Sequence, residues 1–116
     1  MASSRDTVTI GLTARSRDVL NQLEALDWWP SNEAIAKFCM AGAIKAGQGV
    51  GKAEGTTTVW AAGNFDPDGE IRGLVSALYD TDTPVRQIEY LVNEGLLLME
   101  PRLKKQGLML TDLFDD

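Results

Sequence analysis

The chain lacks histidine altogether and contains a single cysteine, Cys39. Without histidine there is no Ser-His-Asp triad and no Cys-His pair, and zinc sites with imidazole ligands are excluded. One cysteine forms no internal disulfide, which is typical of a reducing compartment, so we predict a cytoplasmic protein. Cys39 lies in an apolar helical pattern, which favours a buried structural thiol. The sequence therefore predicts no cofactor and favours a protein that is not an enzyme.

Long apolar runs are absent from the start of the chain. Residues 1–6 are polar and match neither a secretory signal nor a membrane span, so we expect no membrane partner. With 116 residues, 44% of them hydrophobic, the chain fits one domain with a modest core, which favours oligomerisation. We expect a homo-oligomer with one helical domain over residues 1–101 and an acidic-apolar tail over residues 102–116.

The formal net charge of −6 is distributed unevenly. Residues 1–52 carry a net charge of +1 and residues 53–116 a net charge of −7. Phosphate contacts dominate nonspecific affinity for nucleic acid, so any DNA contact is expected in the N-terminal half. The candidate phosphate contacts are Arg15, Arg17, Lys45 and Lys52. The alternative is that these four side chains are ordinary solvated charges.

The stretch over residues 7–47 has the order strand, helix, turn, helix. Val8, Ile10 and Leu12 alternate with threonines and glycine, which predicts a half-buried strand. Together the three elements are typical of a ribbon-helix-helix unit, which usually dimerises because one copy buries its apolar faces poorly. The expected fold class is mainly α: a four-helix compact domain with a short N-terminal strand.

Capping residues indicate where the helices begin. Thr13 precedes the first helix, and Ser31 or Asn32 precedes the second. Thr83 precedes the fourth, which has Pro84 at its first position, where the missing amide is harmless.

Side-chain patterns define the remaining helical features. Small residues on the second helix, Gly42 and Ala43 among them, predict a close helix contact, within a subunit or across a dimer, that larger side chains would overpack. Pro101 is expected to end the fourth helix. The third helix has apolar residues at helical spacing: Ile71, Leu74, Val75 and Leu78.

The glycine-rich segment Gly47–Lys52 resembles a phosphate-binding loop. A Walker loop has four residues between its glycines, whereas three separate Gly47 from Gly51 here, and the segment follows a helix instead of a strand. These departures favour a flexible linker.

The segment Asn64–Gly69 resembles the first half of a calcium-binding loop. Val75 stands where such a loop needs a bidentate glutamate. The pattern favours a turn in which Asp66 or Asp68 caps the third helix.

Two apolar groups are candidate contact surfaces. Trp28 and Trp29 could form a stacking platform or a partner pocket, although a cap on the core between two helices is favoured. In the tail, Leu110, Leu113 and Phe114 alternate with acidic residues and are the candidate partner-binding residues, the alternative being that the tail packs on its own domain.

Three short blocks over residues 8–98 resemble the DndE family, the small subunit of bacterial DNA phosphorothioation systems. The first block is Val8-Thr9-Ile10-Gly11-Leu12-Thr13, which leads into the helix of Leu20 and Leu23. The second is the helix rich in small residues from Pro30 to Gly47, which contains Cys39. The third is Gly69-Glu70 together with the later Asn93-x-Gly95.

The resemblance implies a mostly helical, ribbon-helix-helix-related homotetramer. It also implies association with DNA, a preference for nicked duplex, and partnership with a sulfur-transfer subunit and an ATPase. Leu91 and Glu94 stand where the family tends to carry basic residues or histidine, so less positive charge is expected here.

Three functional hypotheses follow. The first is a DndE-like accessory subunit of a DNA-modification or phage-defence complex, acting as a scaffold with possible DNA-backbone contacts. The second is a ribbon-helix-helix regulator or antitoxin, although the outward strand residues include no Arg, Lys, Asn or Gln to read bases. The third is a small metal-dependent DNA nickase built on Asp66, Asp68 and Glu70.

Overall fold

The computed structural model describes residues 6–103 and is mainly helical. Within that range it has five helices and a two-stranded antiparallel sheet, one helix more than expected. The elements in chain order are β1 (Thr9–Leu12), α1 (Ala14–Ala25), α2 (Asn32–Lys45), β2 (Thr57–Ala61), α3 (Ala62–Phe65), α4 (Glu70–Tyr79) and α5 (Pro84–Leu103). The additional element is α3, a single turn that follows β2 directly.

The predicted caps of the first two helices are confirmed. The Thr13 hydroxyl accepts a hydrogen bond from the Ser16 amide at 3.1 Å, and the Ser31 hydroxyl accepts one from the Ala34 amide at 3.1 Å. Each bond satisfies one amide that the first helical turn leaves without a partner.

The N-terminal strand is shorter than predicted, and its partner lies in the same chain. Ile10 and Leu12 are buried, but Val8 precedes the strand and is 78% exposed, so the expectation of a buried Val8 was wrong. β1 pairs antiparallel with β2, with a bulge between Ile10 and Gly11. Gly11 permits this approach because a Cβ there would lie 2.8 Å from the Thr57 carbonyl oxygen.

Side chains of α5 occupy the other edge of β1. The Gly11 amide donates to the Glu89 carboxylate at 2.8 Å, and the Asn93 side chain donates to the Gly11 carbonyl at 3.1 Å. The Thr13 amide donates to Asn93 Oδ1 at 3.0 Å. Both edges of β1 are therefore hydrogen-bonded within one chain, an arrangement that differs from the intermolecular strand pairing of a ribbon-helix-helix dimer.

Helix α5 is the centre of the core, and α2 packs against it most closely. A Cβ built on Gly95 would collide with the carbonyl group of Cys39, so glycine is required where these helices touch. Within one chain the predicted close contact does not involve Gly42, because a Cβ there meets no atom within 4 Å; a contact across a dimer stays a prediction. Its neighbour Ala43 is fully buried, as expected.

Both ends of α5 hold features that the sequence patterns did not indicate. Pro84 is the first helical residue, as predicted, but a distant carboxylate caps the first turn: Asp6 accepts from the amides of Val85 (2.7 Å) and Arg86 (3.0 Å). Pro101 was expected to end the helix, yet α5 continues to Leu103. Proline removes the hydrogen bond from residue 101 to the carbonyl of residue 97, and only two helical residues follow it. The predicted domain boundary at residue 101 thus lies inside α5.

Helix α4 buries less of its apolar pattern than expected. Val75 is fully buried, whereas Leu74 is 53% and Leu78 55% exposed. The predicted helix is confirmed, but α4 lies at the surface and packs mainly against α5. Within residues 6–103, no helix combines the length and the apolar character needed to cross a bilayer.

Candidate functional site

The four candidate phosphate contacts are exposed, but they differ in their surroundings. Arg15 and Arg17 lie in the first turn of α1, Lys45 in the last turn of α2, and Lys52 in the loop before β2. Arg15 forms an ion pair with Glu100 of α5, and its Nε donates at 3.0 Å. The hydrogen bond and the charge of Glu100 raise the pKa of the Arg15 guanidinium. Glu100 therefore offsets one of the four positive charges.

Three of the candidate cations, Arg15, Arg17 and Lys52, do not form one patch on a single protomer. Arg15 and Arg17 flank the buried Ser16, and at 100° per residue their side chains leave opposite sides of α1. Lys52 follows Gly51, and the Gly51 amide donates to Gln87 of α5. Glu100, the partner of Arg15, lies thirteen residues after Gln87 on the same helix. A rise of 1.5 Å per residue puts about 20 Å of helix between those two anchor points.

Cys39 is a structural thiol, as the sequence predicts. It is fully buried in α2, and burial raises the pKa of the thiol to about 12. The thiolate is the nucleophilic form of cysteine, so Cys39 is unreactive at neutral pH.

The acidic group Asp66, Asp68 and Glu70 does not form a metal site. Asp66 is 4% exposed, and its carboxylate accepts from the amides of Ile71 (3.1 Å) and Arg72 (2.9 Å) and from Arg72 Nε (3.0 Å). Asp68 and Glu70 are exposed. Within residues 6–103, no three His, Cys, Asp or Glu side chains lie close enough together to hold a metal ion. Asp66 instead caps α4, and it is one of the two residues predicted for that role.

The cap at Asp66 makes stability depend on pH. Burial opposes ionisation, but the hydrogen bonds from Arg72 and Ile71 and the Arg72 charge outweigh it, so the pKa of Asp66 is lowered. A lowered pKa contributes stability that is present above the unfolded value, about 3.9, and is lost as the pH falls through the folded value.

We expect Asp66→Asn to lower the free energy of unfolding at pH 7 by about 1.5–3 kcal/mol, the range for hydrogen bonds to a charged group. The deficit relative to the wild type should narrow as the pH falls below about 4, because the unfolded chain then binds a proton that the folded Asp66 carboxylate still resists. Urea unfolding at several pH values measures both. Asp68→Asn is the matched control, expected to change stability by less than about 0.5 kcal/mol. A deficit that does not depend on pH would contradict this account.

The two adjacent tryptophans have different environments. Trp29 is half-buried and packs on Phe38, with ring centroids 5.4 Å apart, which confirms the core prediction for this residue. Trp28 lies 5.9 Å from Trp29 and is 38% exposed. The pair therefore caps the core and shows one partly exposed ring to solvent.

The glycine-rich loop is docked on α5, contrary to the expected flexible linker. Gln87, 2% exposed, accepts from the Gly51 amide at 3.1 Å and donates to the Gly49 carbonyl at 2.9 Å. The Tyr79 hydroxyl donates to the Gln48 carbonyl at 3.0 Å, which ties the loop to α4. Because one amide and two carbonyls of the loop bond to protein side chains, the loop has a structural role.

An open groove of about 590 Å³ lies beside β2. Its walls come from the start of α2, from β2 and from the α3 region. The lining residues are Asn32, Glu33, Val59, Trp60, Ala61, Gly63, Asn64 and Pro67. No sequence motif indicated this groove, because the start of α2 is distant from β2 in the chain and the two are joined only in the fold, where the Trp60 indole donates to Asn32.

The polar side chains of α5 and the cap at Asp6 were not predicted from the sequence. The signal that could have revealed the role of Asn93 is its place between the apolar residues Val92 and Leu96 of α5. Leu110, Leu113 and Phe114, the candidate partner-binding residues, lie outside the described residues.

Compared with known proteins, the chain matches no family model, no curated protein and no solved structure.

Proposed function

We propose that the protein is a DndE-like accessory subunit of a DNA phosphorothioation or phage-defence complex. It acts as an oligomeric scaffold that contacts the DNA backbone and has no chemistry of its own. Its partners are the sulfur-transfer and ATPase subunits of that complex.

One observation carries the proposal: the blocks that resemble the DndE family meet in space. Asn93 of the third block bonds to Gly11 and Thr13 of the first, and Gly95 lies on the backbone of Cys39 in the second. Residues that determine a common fold are the ones relatives are expected to share, so this contact supports the resemblance.

The candidate site supports a role without catalysis. Cys39 is buried and unreactive, so it does not carry sulfur. Asp66 is committed to Arg72 and Ile71, which weighs against a metal-dependent nickase. β1 has both edges bonded within the chain, which weighs against a regulator that reads DNA with paired strands from two copies.

The spacing of the cations fits a scaffold better than a monomeric DNA-binding protein. On one protomer they are dispersed, but an oligomer repeats them around its symmetry axis. With a net charge of −6, the affinity is expected to be weak and to fall steeply with salt.

The test is fluorescence anisotropy with matched intact and nicked duplexes at low and physiological salt. We expect binding that weakens as salt is added, with preference for the nicked duplex. Absence of binding at low salt would overturn the DNA contact and leave a pure assembly subunit. Preference for one duplex sequence would favour a transcriptional regulator.

Charge variants locate the DNA-binding surface. Arg15→Ala with Arg17→Ala should reduce the salt dependence of binding by about 0.9 in the log–log slope for each phosphate that the variant no longer neutralises. Glu100→Gln is the opposing control, because it releases Arg15 from its ion pair and should tighten binding. Unchanged affinity in both variants would exclude Arg15 and Arg17 from the DNA-binding surface.

A further inference from the structure

The two-stranded sheet has one closed edge and one open edge. Glu89 and Asn93 bond to the outer side of β1. The outer side of β2 pairs with no strand in the part of the chain that the structure describes. Along an antiparallel ladder the backbone N–H and C=O groups of successive residues point to alternate sides, so some of these groups in β2 point away from β1.

An open strand edge is a template for another strand, and proteins protect such edges with charge, proline, bulges or short length. β2, with the sequence Thr-Thr-Val-Trp-Ala, contains no charged residue and no proline, and its edge is interrupted by the bulge opposite Ile10 and Gly11. Its five residues span about 17 Å at 3.3 Å per residue, the length of a short extended peptide.

The groove of about 590 Å³ lies against this strand and is lined by Val59, Trp60 and Ala61. Its base is fixed, because the Trp60 indole donates to Asn32 Oδ1 at 3.1 Å and packs on Phe65 with ring centroids 5.4 Å apart. A fixed groove beside an open strand is the arrangement used in recognition by strand addition, in which backbone bonds supply affinity and side-chain pockets supply specificity.

The charge of the lining indicates which peptide fits. Among the described lining residues Glu33 carries the charge, and the chain as a whole is acidic. Asn64 adds a neutral amide able to bond to a peptide backbone. Charge complementarity across an interface selects the partner, so a basic side chain is favoured opposite Glu33.

We propose that the open edge of β2 binds an extended segment of a partner polypeptide that carries a lysine or arginine opposite Glu33. The inference goes beyond the proposed function, since it is argued from the sheet edge and its groove and does not depend on DNA binding.

The test uses the full-length protein and a phage-displayed library of random heptapeptides. Peptides that are enriched are synthesised, and their affinity is measured by fluorescence anisotropy. We expect peptides rich in β-branched residues that contain a lysine or arginine. Replacing that residue with alanine should weaken binding to the wild type but not to Glu33→Gln.

Two glycine variants locate the peptide. Gly63 and Gly73 are both exposed and helical, and a Cβ on either meets no atom within 4 Å. Gly63 lines the groove and Gly73 does not. Gly63→Leu should therefore weaken peptide binding by about tenfold or more, whereas Gly73→Leu should leave it unchanged; tenfold corresponds to about 1.4 kcal/mol. Both variants should unfold at or above the wild-type temperature.

Several results would overturn the proposal. One is a peptide library without enrichment, and another is equal peptide affinity in the two glycine variants. A third is a wild-type dimer, seen by light scattering, that Gly63→Leu dissociates and Gly73→Leu does not; that result would assign the edge to a second copy of the chain. A synthetic peptide of residues 104–116 that binds the wild type but not Gly63→Leu would assign the edge to the chain's own tail.

Discussion

Replacing Gly95 with alanine is expected to lower the free energy of unfolding by about 2–3 kcal/mol, the upper part of the range for overpacking a core. A Cβ at this position would collide with the carbonyl group of Cys39, which belongs to the backbone of α2 and cannot rotate away. Either α2 and α5 separate or one of them bends, and in both cases the two helices pack less closely. For a domain of this size we expect the melting temperature to fall by roughly 10 °C.

Gly42→Ala is the matched control for this prediction. Gly42 is also a helical glycine, but its Cβ would meet no atom within 4 Å. Alanine is the better helix former, so this variant should gain up to about 1 kcal/mol. Thermal unfolding of the two variants beside the wild type measures both effects. If Gly95→Ala were as stable as Gly42→Ala, the close approach of α2 and α5 would be wrong.

Replacing Asn93 with alanine is expected to lower the free energy of unfolding by about 2–4 kcal/mol, because it leaves buried backbone groups without partners. Asn93 is 2% exposed. Its side chain accepts from the Thr13 amide and donates to the carbonyls of Gly11 (3.1 Å) and Glu89 (2.7 Å). Urea unfolding measures the destabilisation, and faster hydrogen exchange of the Thr13 amide should accompany it.

Two further variants separate the causes. Asn93→Asp keeps the size and the acceptor but loses the donor to both carbonyls, so it should also be destabilised at pH 7. Asn64→Ala removes an exposed asparagine and should change stability by less than about 0.5 kcal/mol. An Asn93→Asp variant as stable as the wild type would show that packing, and not hydrogen bonding, is what Asn93 contributes.

Local rules predicted the parts of the fold that depend on neighbouring residues. The caps at Thr13 and Ser31, and Pro84 at the start of the last helix, act within a few residues of themselves, so sequence spacing was sufficient. The burial of Cys39 and of the strand residue Ile10 also followed from short patterns.

What the sequence did not predict depends on contacts between distant segments. Gly42 and Gly95 are both helical glycines, and only the packing of α2 on α5 shows which one is indispensable. Leu74 continues a helical stripe, yet its exposure depends on where α4 lies on α5. The candidate cations were identified by residue type alone. The ion pair between Arg15 and Glu100 and the distances between the cations depend on the fold, so neighbouring residues in the sequence do not predict them.

The hydrogen bonds from α5 to β1 join residues 78 to 82 positions apart in the chain. Closing a loop of that length costs entropy before the bonds form, and contacts between distant residues slow folding. During synthesis β1 emerges first and has neither β2 nor α5 to bond to, so its backbone edges stay unpaired until most of the chain has been made. We therefore expect the order of folding to run against the order of synthesis, with the first strand fixed last and with newly made, incomplete chains the form most exposed to strand-mediated aggregation.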